Sequence, residues 1–279
     1  MKLHVIEAGN FKLDGGAMFG VVPKALWKRT NPADENNMCD WSMRCLLVES
    51  GSRKILIDVG IGDKQPEKFF SHFYLSGETD IEKALNQKGF SAEDITDVFL
   101  THLHFDHCGG AIKRLEDGSY TTTFPNATYW SNERHWEWAT KPNPREAASF
   151  LKENILPIEA SGQLKFLSEG EELIPGFTHF YANGHTDAMM IPKLSFNGKT
   201  IVYMADLLPS VGHIPLPYVM GYDMKPLVTL KEKDLFLKEA CEKGYILFLE
   251  HDPVNECCSL KQGKKYVEKD SCFSLSEIC

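Results

Sequence analysis

No stretch of the sequence reaches the roughly 18 consecutive apolar residues of a membrane-spanning helix, and the opening MKLHVIEAGN carries Glu7 where a signal peptide has its apolar run. A soluble, cytoplasmic protein is expected. Positive charge is scarce: 30 Lys and Arg stand against 39 Asp and Glu, for a formal charge of -9, which repels phosphate backbones and anionic lipid. Neither nucleic acid nor a membrane is expected as a partner. The eight cysteines form no CxxC pair and no regular framework, so free thiols in a reducing compartment are expected. Asn126-Ala127-Thr128 matches a glycosylation acceptor, but without a secretory signal it reads as a chance tripeptide. Internal repeats, Gly/Ser linkers and low-complexity blocks are also missing, so one domain over residues 1–279 is expected. At 43% hydrophobic and 25% charged residues this is a folded chain, able to bury roughly three quarters of its extended surface.

Helices and strands alternate along it. After an irregular N-terminal stretch, Leu46 to Glu49 and Lys54 to Val59 read as a hairpin about Ser50-Gly51-Ser52. Asp80 to Gln87 reads as a helix closed by Gly89, and Ser91-x-x-Asp94 as a capping box ahead of the strand Val98-Phe99-Leu100. Thr128 to Trp130, Phe177 to Tyr181, Lys199 to Met204 and Tyr245 to Leu249 read as strands. Asn132 to Ala139 and Glu146 to Asn154 read as helices. Leu230, Leu237, Ala240 and Cys241 mark the core face of another helix that Gly244 ends, and a last hairpin is expected around Gln262-Gly263.

The informative segment is Thr101-His102-Leu103-His104-Phe105-Asp106-His107-Cys108-Gly109-Gly110. If the strand continues, His102 and His104 at i and i+2 project to the same side and reach one ion. Asp106 and His107 fall where the chain turns, with Gly109-Gly110 permitting tight backbone, and face a second ion. A lone histidine would read as a hydrogen-bonded core residue. Three histidines and a carboxylate together repel, or stay costly to bury, unless something shares their lone pairs, and a divalent metal does that. His185, Asp206 and His251 each follow a predicted strand and supply further candidate ligands.

HLHFDH, with the later Gly184-His185-Thr186, Asp206 and His251, resembles the metallo-β-lactamase superfamily over about Leu46 to His251. That resemblance implies an α/β fold, a four-layer αβ/βα sandwich with metals at one rim of its sheets. It implies that His102, His104 and His185 bind a first ion, that Asp106, His107 and His251 bind a second, and that Asp206 bridges them. Asp58 is then a buried acceptor behind a ligand. Two divalent ions per chain are expected, zinc by default, with iron, manganese or cobalt fitting the same ligands. His104 stands where redox di-iron members carry glutamate, which points to hydrolysis. Asp206 is present and Cys108 lies outside the ligand pattern, which disfavours antibiotic hydrolysis.

The segment Phe11 to Lys24 with Trp27, together with Ala205 to Pro209 and Pro217 to Asp223, is similar to the branch of quorum-quenching N-acyl homoserine lactone lactonases and methyl parathion hydrolase-like enzymes. By that likeness residues 1–40 are an N-terminal extension contributing to the pocket, which Met18, Phe19, Trp27, Tyr218 and Tyr222 line. The expected reaction is opening of a lactone by a hydroxide bridging the two ions, with Asp106 passing the proton onward. A phosphotriesterase and a glyoxalase II-like thioesterase are the alternatives, and a metal-binding protein without catalysis is disfavoured. The substrate is a small molecule, and a homodimer is left open. Some homoserine lactone lactonases place a tyrosine three residues after the bridging aspartate. Pro209 stands there and has no donor, so His213 is expected to assist the substrate oxygen, with Tyr218 and Tyr222 behind it.

Overall fold

The computed structural model describes residues 1–278. The N-terminal stretch is a strand, β1 (Lys2–Asp14), not the irregular segment its glycine and asparagine imply. Leu3, Ile6, Ala8 and Phe11 are buried, and Gly9 at φ 89 breaks their alternation, which hides the strand period in sequence. Next come α1 (Gly15–Phe19), capped by Asp14, and α2 (Lys24–Trp27). β2 (Met38–Ser50) is far longer than expected: Asp40, Ser42 and Arg44 alternate with Trp41, Met43 and Cys45, and the strand is buried from Trp41 to Val48, polar positions included. It turns at Gly51 into β3 (Arg53–Ile57), pairing Leu46 with Ile57 and Ser50 with Arg53, so the expected hairpin forms.

The chain continues through α3 (Glu67–Phe70), α4 (Ile81–Gln87), β4 (Asp97–Phe99) and α5 (Phe105–Cys108). Asp80 caps α4 by accepting from Glu82 and Lys83 amides, and Ser91 with Asp94 forms the expected capping box. Beyond lie β5 (Ile112–Arg114), β6 (Tyr120–Thr122), β7 (Thr128–Ser131), α6 (Glu133–Thr140), α7 (Lys152–Ala160) and β8 (Leu164–Phe166). The helix expected at Glu146 starts six residues late. Asn143 accepts from the amides of Arg145 and Glu146 in the manner of a cap, but only turns follow before α7. Buried Ile155 and Ile158 then carry α7 past Pro157, which removes one helix hydrogen bond.

The chain divides into two compact units, one of Met1–Phe11 with Met43–Ser168, the other of Lys12–Ser42 with the chain from Glu169 onward. In the first, a six-stranded sheet runs β1-β2-β3-β4-β7-β8. β3, β4 and β7 are parallel and in register, Ile57 beside Phe99 beside Trp130. Their carboxyl ends are level, and that is where side chains from several strands meet in an open α/β sheet.

The second unit holds β9 (Phe177–Ala182), β10 (Met189–Phe196), β11 (Lys199–Tyr203), α8 (Pro226–Lys243), β12 (Ile246–Phe248), β13 (Cys257–Gln262) and β14 (Val267–Phe273). The sheet order is β14-β13-β12-β11-β10-β9. β10 went unread in sequence because Pro192 interrupts it. It is antiparallel to both neighbours, so β9 runs with β11, which is parallel to β12. α8 is the crossover from β11 to β12, and Gly244 ends it at φ 65. Its buried face is Thr229, Lys233, Phe236, Leu237 and Ala240, rotated from the expected Leu230–Cys241 stripe and centred on a lysine. No helix among the described residues is long and apolar enough to cross a membrane, and the seven described cysteines are free.

Gly109 and Gly110 follow α5, where the chain presses against the loop after β3. A Cβ at Gly109 would lie 2.0 Å from the Ile61 carbonyl oxygen, and one at Gly110 2.1 Å from that of Val59. Neither obstacle is a flexible side chain. Gly110→Ala is therefore expected to lower unfolding free energy by about 2 kcal/mol or more in urea titration, through forced backbone displacement. Stability within about 0.5 kcal/mol of wild type would show that the two segments separate easily.

Candidate metal centre

In the first unit the four expected ligands lie beyond the carboxyl end of β4. His102 and Leu103 lead into His104, the N-cap of α5, which carries Asp106 and His107 on one tight turn. All four are buried. The turn is tied down by the His107 carbonyl, which accepts from Val59 N, and by the buried Lys64 ammonium, which donates to the Gly109 carbonyl. Burial pushes that ammonium down to about 8.

Asp58, next after β3, decides which nitrogens of the histidines carry hydrogen. Its carboxylate accepts from Thr101 N at 2.8 Å, Thr101 Oγ1 at 2.7 Å and His107 Nδ1 at 3.0 Å. The single hydroxyl hydrogen of Thr101 goes to Asp58, so Thr101 Oγ1 accepts from His102 Nδ1 at 3.1 Å. His104 Nε2 donates to Glu146 Oε1 at 3.0 Å, and Glu146 is held by Trp138 Nε1 at 2.7 Å and Asn143 Nδ2 at 3.2 Å. With those hydrogens placed, His102 Nε2 and His104 Nδ1 face one another at 3.0 Å as two lone pairs. Such a pair repels unless a cation lies between, and a divalent ion is a cation that accepts both.

The second unit repeats this logic. His185 follows β9, Asp206 sits in the turn after β11, and His251 follows β12. His185 Nδ1 donates to Asp223 Oδ1 at 3.0 Å and His251 Nδ1 to the Ser42 carbonyl at 2.7 Å. Each therefore turns Nε2 toward Asp206: His185 at 2.9 Å from Oδ2, His251 at 3.1 Å from Oδ1. Burial works against a charge on His185, but Asp206 and Asp223 outweigh it and raise it to about 10. A cation belongs between these groups. Asp206 presents one oxygen to each imidazole. Imidazole nitrogens and carboxylate oxygens form a donor set for zinc or a similar divalent ion.

Among the other candidates, His213 is already engaged at both ring nitrogens. His213 has no hydrogen to offer a substrate: its Nε2 donates to the Met18 carbonyl at 2.9 Å and its Nδ1 accepts from Ser210 Oγ at 2.9 Å. Burial pushes it down to about 3, so it is neutral and has one N–H only. Met18, Phe19 and Trp27 are core, and both faces of the Phe19 ring are covered, by Trp27 at 5.1 Å and by His213 at 4.4 Å. Tyr218 is half-buried with its ring edge toward Phe19, and Tyr222 is 38% exposed. Cys108 stays outside the donor set, its thiol facing the Leu103 carbonyl and pushed up to about 12 by burial.

Sequence reasoning missed Glu146, Asp223 and His135. His135 Nε2 accepts from Leu103 N at 2.9 Å, which fixes the backbone between His102 and His104. None of the three lies in a local motif with the residue it orients, so only the fold reveals them.

Residues 44–248 match the model of a family described as the Metallo-beta-lactamase superfamily. Among curated proteins, N-acyl homoserine lactonase of Bacillus thuringiensis is 27% identical over 197 residues, 66% of this chain. The chain spans about 66% of the length of the curated relatives it matches. A probable metal-dependent hydrolase from Staphylococcus aureus superposes with a TM-score of 0.87 at 27% identity, over 98% of each chain. AidC, described as a dizinc quorum-quenching lactonase, shares the fold at a TM-score of 0.81 and 22% identity, over 98% of this chain and 95% of its own. The histidine–aspartate clusters and the family match together support divalent metal binding.

Removing an acceptor that orients a ligand typically weakens metal binding by roughly 10–100-fold, and Glu146→Ala is expected to do so. Competition with a chromophoric chelator measures it. An affinity within about twofold of wild type would mean that His104 is not oriented by Glu146.

Proposed function

Because the chain belongs to the metallo-β-lactamase superfamily, we propose that it is a binuclear metal-dependent hydrolase that opens lactones, N-acyl homoserine lactones above all. The observation that carries the binuclear reading is Asp206, whose two oxygens face two imidazoles already committed at their other nitrogen. His102, His104 and His185 are assigned to one ion and Asp106, His107 and His251 to the other, with Asp206 shared. The lactone reading draws its support from the relatives named N-acyl homoserine lactonase.

Divalent ions held by these residues would supply a more acidic water and a polarised substrate carbonyl, so that no serine or cysteine nucleophile would be needed. The chain's own residues set the stage for them. Asp58, Glu146, Asp223 and the Ser42 carbonyl fix the tautomers, and Asp106 is assigned the proton that passes to the departing alkoxide. Water adds across the acyl carbon–oxygen bond and the ring opens to a hydroxy acid. Residues 1–40 are assigned to the same catalytic domain. They act behind the pocket through the Phe19–His213 stack, and Tyr218 and Tyr222 are its facing residues. His213 acts by joining α1 to the loop after Asp206. A reducing compartment is proposed, supported by the free thiols.

Elemental analysis of the reconstituted protein is expected to give two ions per chain. On a panel of lactones, thioesters and phosphotriesters, acyl homoserine lactones should be hydrolysed fastest. A leading rate on thioesters or phosphotriesters would reassign the substrate class. Asp206→Asn should lose turnover by ~10²-fold or more while the fold survives, because an amide does not bridge two cations as a carboxylate does. Unchanged turnover would remove Asp206 from the centre.

A further inference from the structure

The most unusual buried group outside the donor sets is Lys233. It sits in the middle of α8 at 1% exposure, between Thr229 and Phe236 on the helix's core face. Its ammonium donates to the carbonyls of Pro215 at 3.0 Å and Tyr218 at 2.6 Å. Burial lowers it to about 7, against the opposing pull of Asp223. A cation held by two neutral carbonyls is expensive to bury, and an apolar side chain of similar length would fill the space at lower cost. Stability therefore does not explain a lysine there.

The groups it holds do. Pro215 and Tyr218 bracket a turn, with Tyr218 N donating to the Pro215 carbonyl, and that turn lies midway along the segment from Asp206 to Asp223. The segment starts at the carboxylate assigned as bridge and ends at the carboxylate that orients His185. His213, Tyr218 and Tyr222 lie along it. Its far end is tied to the His185 strand end, Met224 N donating to the His185 carbonyl and Lys225 N to that of Gly184. Between those ties, Pro215 and Pro217 have no amide hydrogen, and the carbonyls of Pro215 and Tyr218 look to the helix.

We propose that Lys233 is a positioning residue for the substrate loop: its buried ammonium pins the Pro215 and Tyr218 carbonyls and so fixes the segment between Asp206 and Asp223 that faces the substrate. The assignment of that loop to substrate rests on the hydrolase reading above; the pinning itself does not. Lys233→Met keeps side-chain length and removes both charge and donors. In the metal-loaded protein, chymotrypsin is expected to nick Tyr218–Val219 at least ~10-fold faster than in wild type, with unchanged circular dichroism. With the best lactone, KM should rise ~10-fold or more while kcat moves less than ~3-fold, because the reacting groups stay in place and only binding is loosened. A folded Lys233→Met with wild-type nicking and wild-type KM overturns the proposal. Should that variant not fold, hydrogen exchange on wild type decides it. The Tyr218 amide should be protected ~10³-fold or more, and exchange at the rate of an exposed loop overturns the pinning. A protein that hydrolyses no lactone but resists nicking and exchange at Tyr218 would refute the substrate reading and leave the pinning intact.

Discussion

An imidazole has one hydrogen to place when neutral, and where it goes decides what the other nitrogen can bind. Five histidines of this chain have that choice made for them by an oxygen behind the ring: Thr101 for His102, Glu146 for His104, Asp58 for His107, Asp223 for His185 and the Ser42 carbonyl for His251. The remaining nitrogens face one another or a carboxylate oxygen. Buried acceptors facing acceptors are among the costliest arrangements a core can hold, and they become favourable only with a cation between them. The rest of the architecture serves to keep these rings from turning over.

Two devices keep them so. One is position at a sheet's end, where parallel strands in register deliver Asp58 and the HLHFDH segment side by side in one unit, and β9, β11 and β12 deliver His185, Asp206 and His251 in the other. The second is backbone conformation that only a determined surrounding sustains. Asp58 has φ 55, and Ala205, immediately before Asp206, has φ 41, both in the left-handed region that non-glycine residues avoid. Each costs on the order of 1 kcal/mol, and each stands at or beside a residue whose direction matters. At Asp58 the strain is held by three hydrogen bonds, at 2.7 to 3.0 Å, from groups the fold brings to it.

How much of this the sequence discloses follows from the range of each interaction. HLHFDH is local, so its donors are legible from spacing, and the strands before His185, Asp206 and His251 are legible from their apolar runs. The Asp80 and Ser91 caps were readable because a cap is made within three residues. Elements were misread where a long-range constraint outweighed local pattern. Gly9 shifts the phase of β1, β2 buries Ser42 and Arg44 along with their apolar neighbours, and the turn that Asn143 caps does not pass into a helix before Lys152. The partners that fix the tautomers were the least legible. Glu146 is 42 residues from His104 and Asp223 38 residues from His185, and nothing in composition ties such pairs. The engagement of His213 is hidden for the same reason, since the Met18 carbonyl that takes its hydrogen lies 195 residues away.

A division of labour is built into the second unit. His185, Asp206 and His251 are placed by strand ends, with the Asp223 carboxylate and the Ser42 carbonyl behind the two imidazoles. The Ser210–Tyr222 loop is held by a different set of contacts: Ser210 with His213, His213 with Met18, Gly221 N with the Ala17 carbonyl, and Lys233 with two loop carbonyls. Several of these anchors are backbone carbonyls, those of Ala17, Met18, Pro215 and Tyr218, and do not depend on the side chain that the same residue carries. A loop held through its backbone keeps its frame, fastened from α1 and α8, when a side chain along it changes. The donor cluster, whose side chains are fixed by hydrogen bonds, and the loop, whose backbone is what is held, thus obey different constraints.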